Sequence, residues 1–271
     1  MQKSKTGDKW DTYGDNAPRR KWLIGIDEVG RGPLAGPVTV GAVAVLIGGS
    51  VDDSQVSGID EECDGTYAGT YEKIHKKLME ISGKEYPIGV DSKKMKEKDR
   101  DFWFDIFGII ERTGTAQENE TFENDETQFY TSVQHMSAAQ IDEKGIAVCI
   151  AELVDLNIRK ILGEIQVKNP DATYENFYVL LDGGLKTGLP VGSQKTIIKG
   201  DEKELLISLA SVNAKVTRDR HMEELSKNSK YAGYGFEVHK GYGTLKHREA
   251  IKKLGPSDQH RVSFCKNILS N

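Results

Sequence analysis

Residues 22–46, W-L-I-G-I-D-E-V-G-R-G-P-L-A-G-P-V-T-V-G-A-V-A-V-L, constrain the fold more than any other stretch. Leu23, Ile24 and Ile26 form an apolar, partly β-branched run of strand length, and residues 38–46 form a second. Residues 30–37 between them are dense in glycine and proline, so this turn can take positive φ and bring backbone N–H groups close to a ligand. The reading is strand, turn, strand. Asp27 and Glu28 lie where the first strand should be buried. Neighbours on a strand point to opposite faces, so both cannot simply face water. A buried carboxylate is costly unless it is paired or bound to a cation. The alternative is a strand that ends at Asp27 and a solvated loop that begins at Glu28. The pair alone leaves both readings open.

Composition narrows the field. At 271 residues the chain has room for one large domain or two small ones, and 37% hydrophobic with 29% charged residues is ordinary for a globular protein. No apolar run approaches membrane-spanning length, and the polar N-terminus lacks the apolar core of a secretory signal. Cys63, Cys149 and Cys265 are odd in number and widely spaced, which argues against a disulfide scaffold or zinc knuckle and fits a reducing cytoplasm. The net charge of −5 is uneven: residues 182–271 hold 16 Lys and Arg against 10 Asp and Glu. A basic C-terminal part suits a polyanionic partner, although a solvated charged face fits the same count.

Residues 1–20 are polar and aperiodic and are expected to form a loose arm, with one domain spanning 21–271. Residues 48–86 open with an acidic, turn-rich segment and are expected to be a surface insertion; apolar positions 71, 74, 78 and 81 predict a helix within it. A helix is predicted over 96–111, capped by Asp91 or Ser92, then a short strand at 129–133 and two helices over 137–162 broken near Gly145. Residues 177–181 and 196–198 read as buried strands and 205–224 as a long helix. Ser208, Ala210, Ser211 and Ala214 allow that helix to pack closely. A last helix is predicted over 245–254.

Two more strands end beside glycine and an acid, at Asp182 and Asp201. With Asp27 and Glu28 they make four carboxylates at strand ends or the turns beside them. Hard cations such as Mg²⁺ take oxygen ligands of this kind, and two ions flanking a phosphate can activate water and stabilise the leaving oxygen. Acids at strand ends are also common as turn and cap residues, so the pattern alone does not decide. P-loop, dinucleotide-fingerprint, nucleophile-elbow and zinc spacings are absent, and the six histidines are expected at the surface or at helix caps.

The opening block G-I-D-E-V-G-R-G-P-L-A-G-P-V resembles the signature of the ribonuclease HII family. The resemblance continues in order through D-S-K-K at 91–94, S-A-A-Q-I-D-E-K-G-I at 137–146, L-L-D-G at 180–183, K-G-D at 199–201 and A-K-V-T-R-D at 214–219. It ends with Y-G-F-E-V-H-K-G-Y-G-T-L-K-H at 234–247 and H-R-V-S-F at 260–264. It implies an α/β, RNase H-like mixed five-stranded sheet flanked by helices, with a C-terminal helical part. It implies a metal-dependent endoribonuclease, using Mg²⁺ or Mn²⁺ in a two-metal mechanism. Its substrates would be RNA–DNA hybrids and duplex DNA containing ribonucleotides, cut 5′ of the ribonucleotide to leave 3′-OH and 5′-phosphate ends. The family's metal-binding acids fall on Asp27, Glu28, Asp182 and Asp201, and its Gly-Arg-Gly element on Gly30, Arg31 and Gly32. Its sugar-packing tyrosine falls on Tyr242. Ser92, Lys93, Lys199, Lys215, Arg218 and Lys240 are candidates for phosphate contacts, and a solvated surface role is the alternative for each basic residue. Asp219 is read as structural, paired with a neighbouring Arg. A monomer is expected. A ribonuclease HIII-like hybrid nuclease and a catalytically silent hybrid-binding protein are the competing readings.

Overall fold

The two apolar runs of residues 22–46 form an antiparallel pair at the heart of a mixed sheet. The computed structural model describes residues 20–51, 68–87, 92, 94–115 and 128–270. Strand β1 (Arg20–Val29) pairs antiparallel with β2 (Val38–Val51), and β2 pairs antiparallel with β3 (Phe129–Met136). On its other side β1 runs parallel to β4 (Phe177–Asp182), which runs parallel to β5 (Gln194–Ile197). The order is β3-β2-β1-β4-β5, so β1 is central. Among the described residues the helices are α1 (Ala68–Ser82), α2 (Glu97–Thr115), α3 (Ala138–Lys144), α4 (Ile146–Lys168), α5 (Gly200–Lys203), α6 (Leu205–Lys227), α7 (Phe236–His239), α8 (Leu245–Leu254) and α9 (Val262–Leu269). None of them is long and apolar enough to cross a membrane.

Both faces of the sheet are covered, which explains why β1 reads as continuously apolar rather than alternating. Trp22, Ile24 and Ile26 pack with Val38, Val40 and the α4 residues Leu153, Val154 and Ile158. Leu23, Val43 and Val45 pack with α6 on the opposite face. Each fully buried aliphatic side chain stabilises by roughly 1.5–3 kcal/mol. Two glycines set how close α6 lies. A Cβ on Gly25 would stand 2.3 Å from the Leu206 carbonyl carbon, and one on Gly41 would stand 2.4 Å from the Ala210 oxygen. Gly41 is the cross-strand partner of Asp27, so this close approach lays α6 directly over the acid.

The mixed five-stranded sheet, the break at Gly145 (φ 85°) and the helices at 97–115, 205–227 and 245–254 follow the sequence reading. However, β5 is a half-buried edge strand rather than a buried one, and Ile198 beyond it is exposed. Nor does Ser92 cap the 97–115 helix, since its hydroxyl bonds Ser211. The surface-insertion reading of 48–86 needs correction for its described part. Ile74, Leu78 and Tyr86 are buried in the α6-side core, and the Tyr86 hydroxyl meets Ser208 Oγ at 2.8 Å. An amphipathic helix has to bury its apolar stripe, and α1 buries its stripe against the rest of the domain. Residues 1–19, the 52–67 part of the insertion, Asp91, Lys93 and 116–127 lie outside the described residues. Helix α9 went unpredicted: its first two N–H groups are capped from a distance by the Asp142 carboxylate, at 2.6 Å to Val262 and 3.1 Å to Ser263.

Candidate active site: an acid cluster beside a glycine-rich turn

Parallel pairing of β1 with β4 brings two carboxyl-end acids to one edge of the sheet. The register pairs Ile26 with Leu181, so Asp27 and Asp182 sit one step beyond, level with each other. Carboxylate oxygens of Asp27, Glu28 and Asp182 lie within 4.8 Å of one another. Asp27 is buried against α6, where the Ser211 side chain hydrogen-bonds to it, and the Glu28 N–H donates to Asp27 Oδ1 at 2.7 Å. Asp182 Oδ1 accepts from the Gly200 N–H at 2.6 Å. Glu28 Oε1 accepts from Arg31 Nη1 at 2.8 Å, while Glu28 Oε2 is buried with no partner.

The electrostatics are those of a site short of positive charge. Burial, then the adjacent Glu28 carboxylate, holds Asp27 well above the usual carboxylate range. Burial also raises Glu28, partly offset by Arg31. An all-oxygen donor set, mutual repulsion and an orphaned buried oxygen are the features a hard divalent cation would satisfy, so these residues fit such an ion. Asp201 stands outside the three-acid group. It is buried in the first turn of α5, next to the Gly200 that bonds Asp182.

The turn at 30–37 is held from beneath by two arginines that are 0% exposed. Arg261 donates to the carbonyls of Gly30 (2.7 Å), Arg31 (3.0 Å) and Gly36 (3.0 Å). Arg218 donates to those of Pro37 (2.9 Å) and Ala35 (3.2 Å). Neither makes an ion pair with a carboxylate among the described residues, and Arg218 Nη1 is buried without a partner. Burial pushes the pKa of both guanidinium groups down, but arginine stays charged at neutral pH. Arg218 is therefore not a surface phosphate contact, which corrects that expectation. Ser92 is corrected for the same reason: it is 1% exposed and bonded to Ser211 Oγ at 2.7 Å, one link behind Asp27.

Tyr242 is tied to this turn although more than 200 residues separate them in sequence. The Gly241 carbonyl accepts from the N–H groups of Leu34 (2.9 Å) and Ala35 (3.3 Å). A Cβ on Gly241 would meet the Ala35 oxygen at 2.3 Å, so the approach requires glycine. The Tyr242 ring is 37% exposed, 5.6 Å from the Arg218 guanidinium and 5.9 Å from Lys215 Nζ. Lys215 pairs with Asp219 at 2.8 Å, so the partner of Asp219 is a lysine one turn back rather than an arginine. Lys240 is also engaged, with Glu223 and with the Glu237 carbonyl at 2.8 Å. Lys199 is solvent-exposed, in the left-handed region at φ 56°, 3.8 Å from Glu202.

The sequence reading missed Arg261 and three histidines. His239, His247 and His260 are buried rather than at the surface, and they form a chain behind Tyr242. The Ser257 N–H donates to His260 Nδ1 (2.9 Å), which leaves the proton on His260 Nε2. That N–H donates to His247 Nε2 (3.1 Å), and His247 Nδ1–H in turn donates to the Tyr242 carbonyl (2.9 Å). Burial pushes both His247 and His260 down to about 4. His239 stacks on His247 at 4.2 Å and bonds the Tyr234 carbonyl. H-R-V-S-F and the final His of the Tyr242 block were visible as motifs, but a sequence does not show that their polar groups point inward.

The family model described as Ribonuclease HII matches residues 58–267, a span that contains Asp182 and Asp201 and begins downstream of Asp27. The chain is 33% identical over 249 residues to the ribonuclease HII of Clostridium perfringens (strain 13 / Type A), covering 92% of this chain and 68% of that protein. It is 34% identical over 252 residues to the ribonuclease HII of Caldicellulosiruptor bescii, covering 92% and 89%. Its fold is similar to that of RNase HII in the PCNA:RNase HII complex from Archaeoglobus fulgidus, with TM-score 0.53 and 20% identity over 92% of this chain and 97% of that one. It is also similar to that of Bst-RNase HIII in complex with Mn²⁺, with TM-score 0.51 and 15% identity over 93% and 70%. Together with the blocks that run from Asp27 to Phe264, these matches place the chain in the ribonuclease HII family, hydrolases that act on the RNA of RNA–DNA hybrids.

Proposed function

We propose that this ribonuclease incises duplex DNA 5′ of single embedded ribonucleotides, besides cutting RNA–DNA hybrids, and leaves 3′-OH and 5′-phosphate ends. The observation that carries the proposal is adjacency. Asp27 and Glu28 of the acid cluster share one hairpin with Gly30, Arg31 and Gly32, only Val29 lying between, and Arg31 already bonds Glu28. Chemistry on a phosphate and recognition of the sugar beside it can therefore occur within one substrate contact.

Asp27, Glu28 and Asp182 would hold divalent ions, Mg²⁺ or Mn²⁺, with Asp201 as the fourth acid. Bound there, such ions supply an activated water and neutralise charge on the leaving oxygen. The chain's own residues do the rest. Ser211 and the Gly200 N–H fix the rotamers of Asp27 and Asp182. The exposed Arg31 side chain offers charge to the phosphate next to the cluster. Among the described residues, no atom beyond its two chain neighbours lies within 4 Å of where a Gly32 Cβ would stand, so the space in front of it is open to a ligand. RNA differs from DNA at the 2′-OH, and an unobstructed backbone can approach that group. Tyr242 supplies an apolar face at the same mouth, on which the sugar after the ribonucleotide would pack. Lys199 and Lys240, with Lys93, are proposed to steer the polyanion, whereas Lys215, buried and paired with Asp219, is not a surface phosphate contact. We propose action as a cytoplasmic monomer.

A duplex carrying one ribonucleotide tests this reading. In Mg²⁺ or Mn²⁺, a single cut on its 5′ side is expected. Cleavage of long hybrids without this cut would favour a ribonuclease HIII-like enzyme. Binding with no cleavage in either metal would leave a silent hybrid-binding protein.

A further inference from the structure

We propose that Arg261 is a positioning residue for sugar selection: it turns the backbone of Gly30, Arg31 and Gly32 so that two N–H groups face the substrate. The proposal rests on the reading of this turn as the ribose reader. Arg261 belongs to the H-R-V-S-F block, which that reading leaves without a role.

The carbonyls of Gly30 and Arg31 both point inward to the Arg261 guanidinium. In a planar trans peptide the C=O of one residue and the N–H of the next point in opposite directions. The N–H groups of Arg31 and Gly32 therefore point outward, and neither has an acceptor among the described residues. The rest of the turn is closed. Leu34 and Ala35 donate to Gly241, Gly36 donates to Gln259 at 2.8 Å, and the Leu34 carbonyl accepts from the Arg261 N–H at 2.8 Å. Arg261 thus grips the turn with its side chain and its own backbone.

The guanidinium suits this task because its planar fork reaches three carbonyls at once, where a lysine offers one compact charge. Packing does not dictate the arrangement by itself. Gly30 must be glycine for internal reasons, since it has φ 87° and a Cβ there would lie 2.4 Å from Arg218 Nε. Gly32 has no such internal constraint. The structure therefore builds a rigid internal half of the turn and presents its other half outward.

Three measurements separate the outcomes. First, Arg261→Lys is tested for binding, with Ca²⁺ in place of the catalytic metal, to a duplex with one ribonucleotide and to the same duplex in all-DNA form. At least a tenfold loss of discrimination is expected, with Mn²⁺ affinity by calorimetry unchanged. Discrimination within twofold of wild type overturns the role of Arg261. Second, Gly32→Ala meets no described atom beyond its chain neighbours, so it should fold normally and lose discrimination. If it keeps discrimination, the ribose-reader reading itself fails. If it loses discrimination while Arg261→Lys keeps it, only the positioning role fails. Third, amide exchange of the wild-type protein needs no variant to fold. The Arg31 and Gly32 amides should exchange freely in the unbound protein and slow only with the ribonucleotide duplex. Protection in the unbound protein, or equal slowing with DNA, overturns the proposal.

Discussion

The end of β1 and the turn that follows it are a few residues apart, yet they handle buried charge in opposite ways. At the strand end, Asp27, Glu28 and Asp182 crowd together, and Glu28 Oε2 has no partner. In the turn, Arg218 and Arg261 are buried without an ion pair to a carboxylate among the described residues, and backbone carbonyls accept their N–H groups. The two sets do not neutralise each other; Arg31, bonded to Glu28, is the bridge between them. Full pairing would have been cheaper for folding, because a buried charge without a counter-charge costs several kcal/mol. The separation leaves one zone short of cations and its neighbour short of anions. A phosphodiester with divalent ions would supply both, which is the complement the proposed reaction calls for.

The largest expected effect breaks the acid zone. Asp27→Asn should lower cleavage by more than about a hundredfold, since loss of a group that merely supports a metal ligand already costs 10–100-fold. Hybrid binding should survive. Thermal stability in metal-free buffer should hold or rise, because the variant removes a carboxylate that burial and two like charges disfavour. Near wild-type cleavage in Mg²⁺ would remove Asp27 from the reaction. A drop in melting temperature would show that the zone carries less strain than its geometry implies.

Asp201→Asn should do less. Its carboxylate lies outside the 4.8 Å group, beside the backbone that bonds Asp182. A loss smaller than that of Asp27→Asn, partly recovered at raised Mn²⁺ concentration, is expected from steady-state rates. A loss equal to that of Asp27→Asn would mean that substrate draws Asp201 fully into the cluster.

What the sequence revealed about these zones follows from the kind of signal each carries. The acid zone was legible because periodicity places strands, parallel pairing brings strand ends together, and acids at those ends stand out against apolar runs. Asp182 fell beside Asp27 by that logic, while Asp201, beyond the end of β5, did not join them. The mixed sheet was legible for the same reason, and the small residues Ala210 and Ala214 of α6 are where Gly41 lets the helix approach. The turn zone was only half legible. Gly30, Arg31 and Gly32 could be singled out, but basic residues look alike in a sequence whether they meet phosphate or backbone. Arg218 therefore passed for a phosphate contact, Arg261 for nothing in particular, and the histidines for surface groups. Burial of a polar side chain depends on which distant carbonyls need a donor, and that is fixed only once the chain has folded.

The smallest expected effect sharpens the turn zone through pH. His247 and His260 titrate at about 4 in the folded protein, against the ordinary 6.5. The cause is burial, reinforced by their bond. Protonating His247 at Nε2 would set two N–H groups head to head across 3.1 Å. As pH falls from about 6.5 toward 4, the unfolded chain takes up protons that the folded chain refuses, so stability falls over that window and is complete above it. His260→Gln keeps a donor toward His247 and removes one titrating ring. Its urea midpoint should therefore fall less steeply than that of wild type between pH 6.5 and 4.5, with a modest change at pH 7.5. Because His247 holds the Tyr242 carbonyl, the wild-type protein should also lose protection of the Tyr242 region early in that titration. Parallel midpoint curves for the two proteins would mean that the histidine chain does not set the acid limit of this zone, and that its neutral hydrogen bonds serve packing alone.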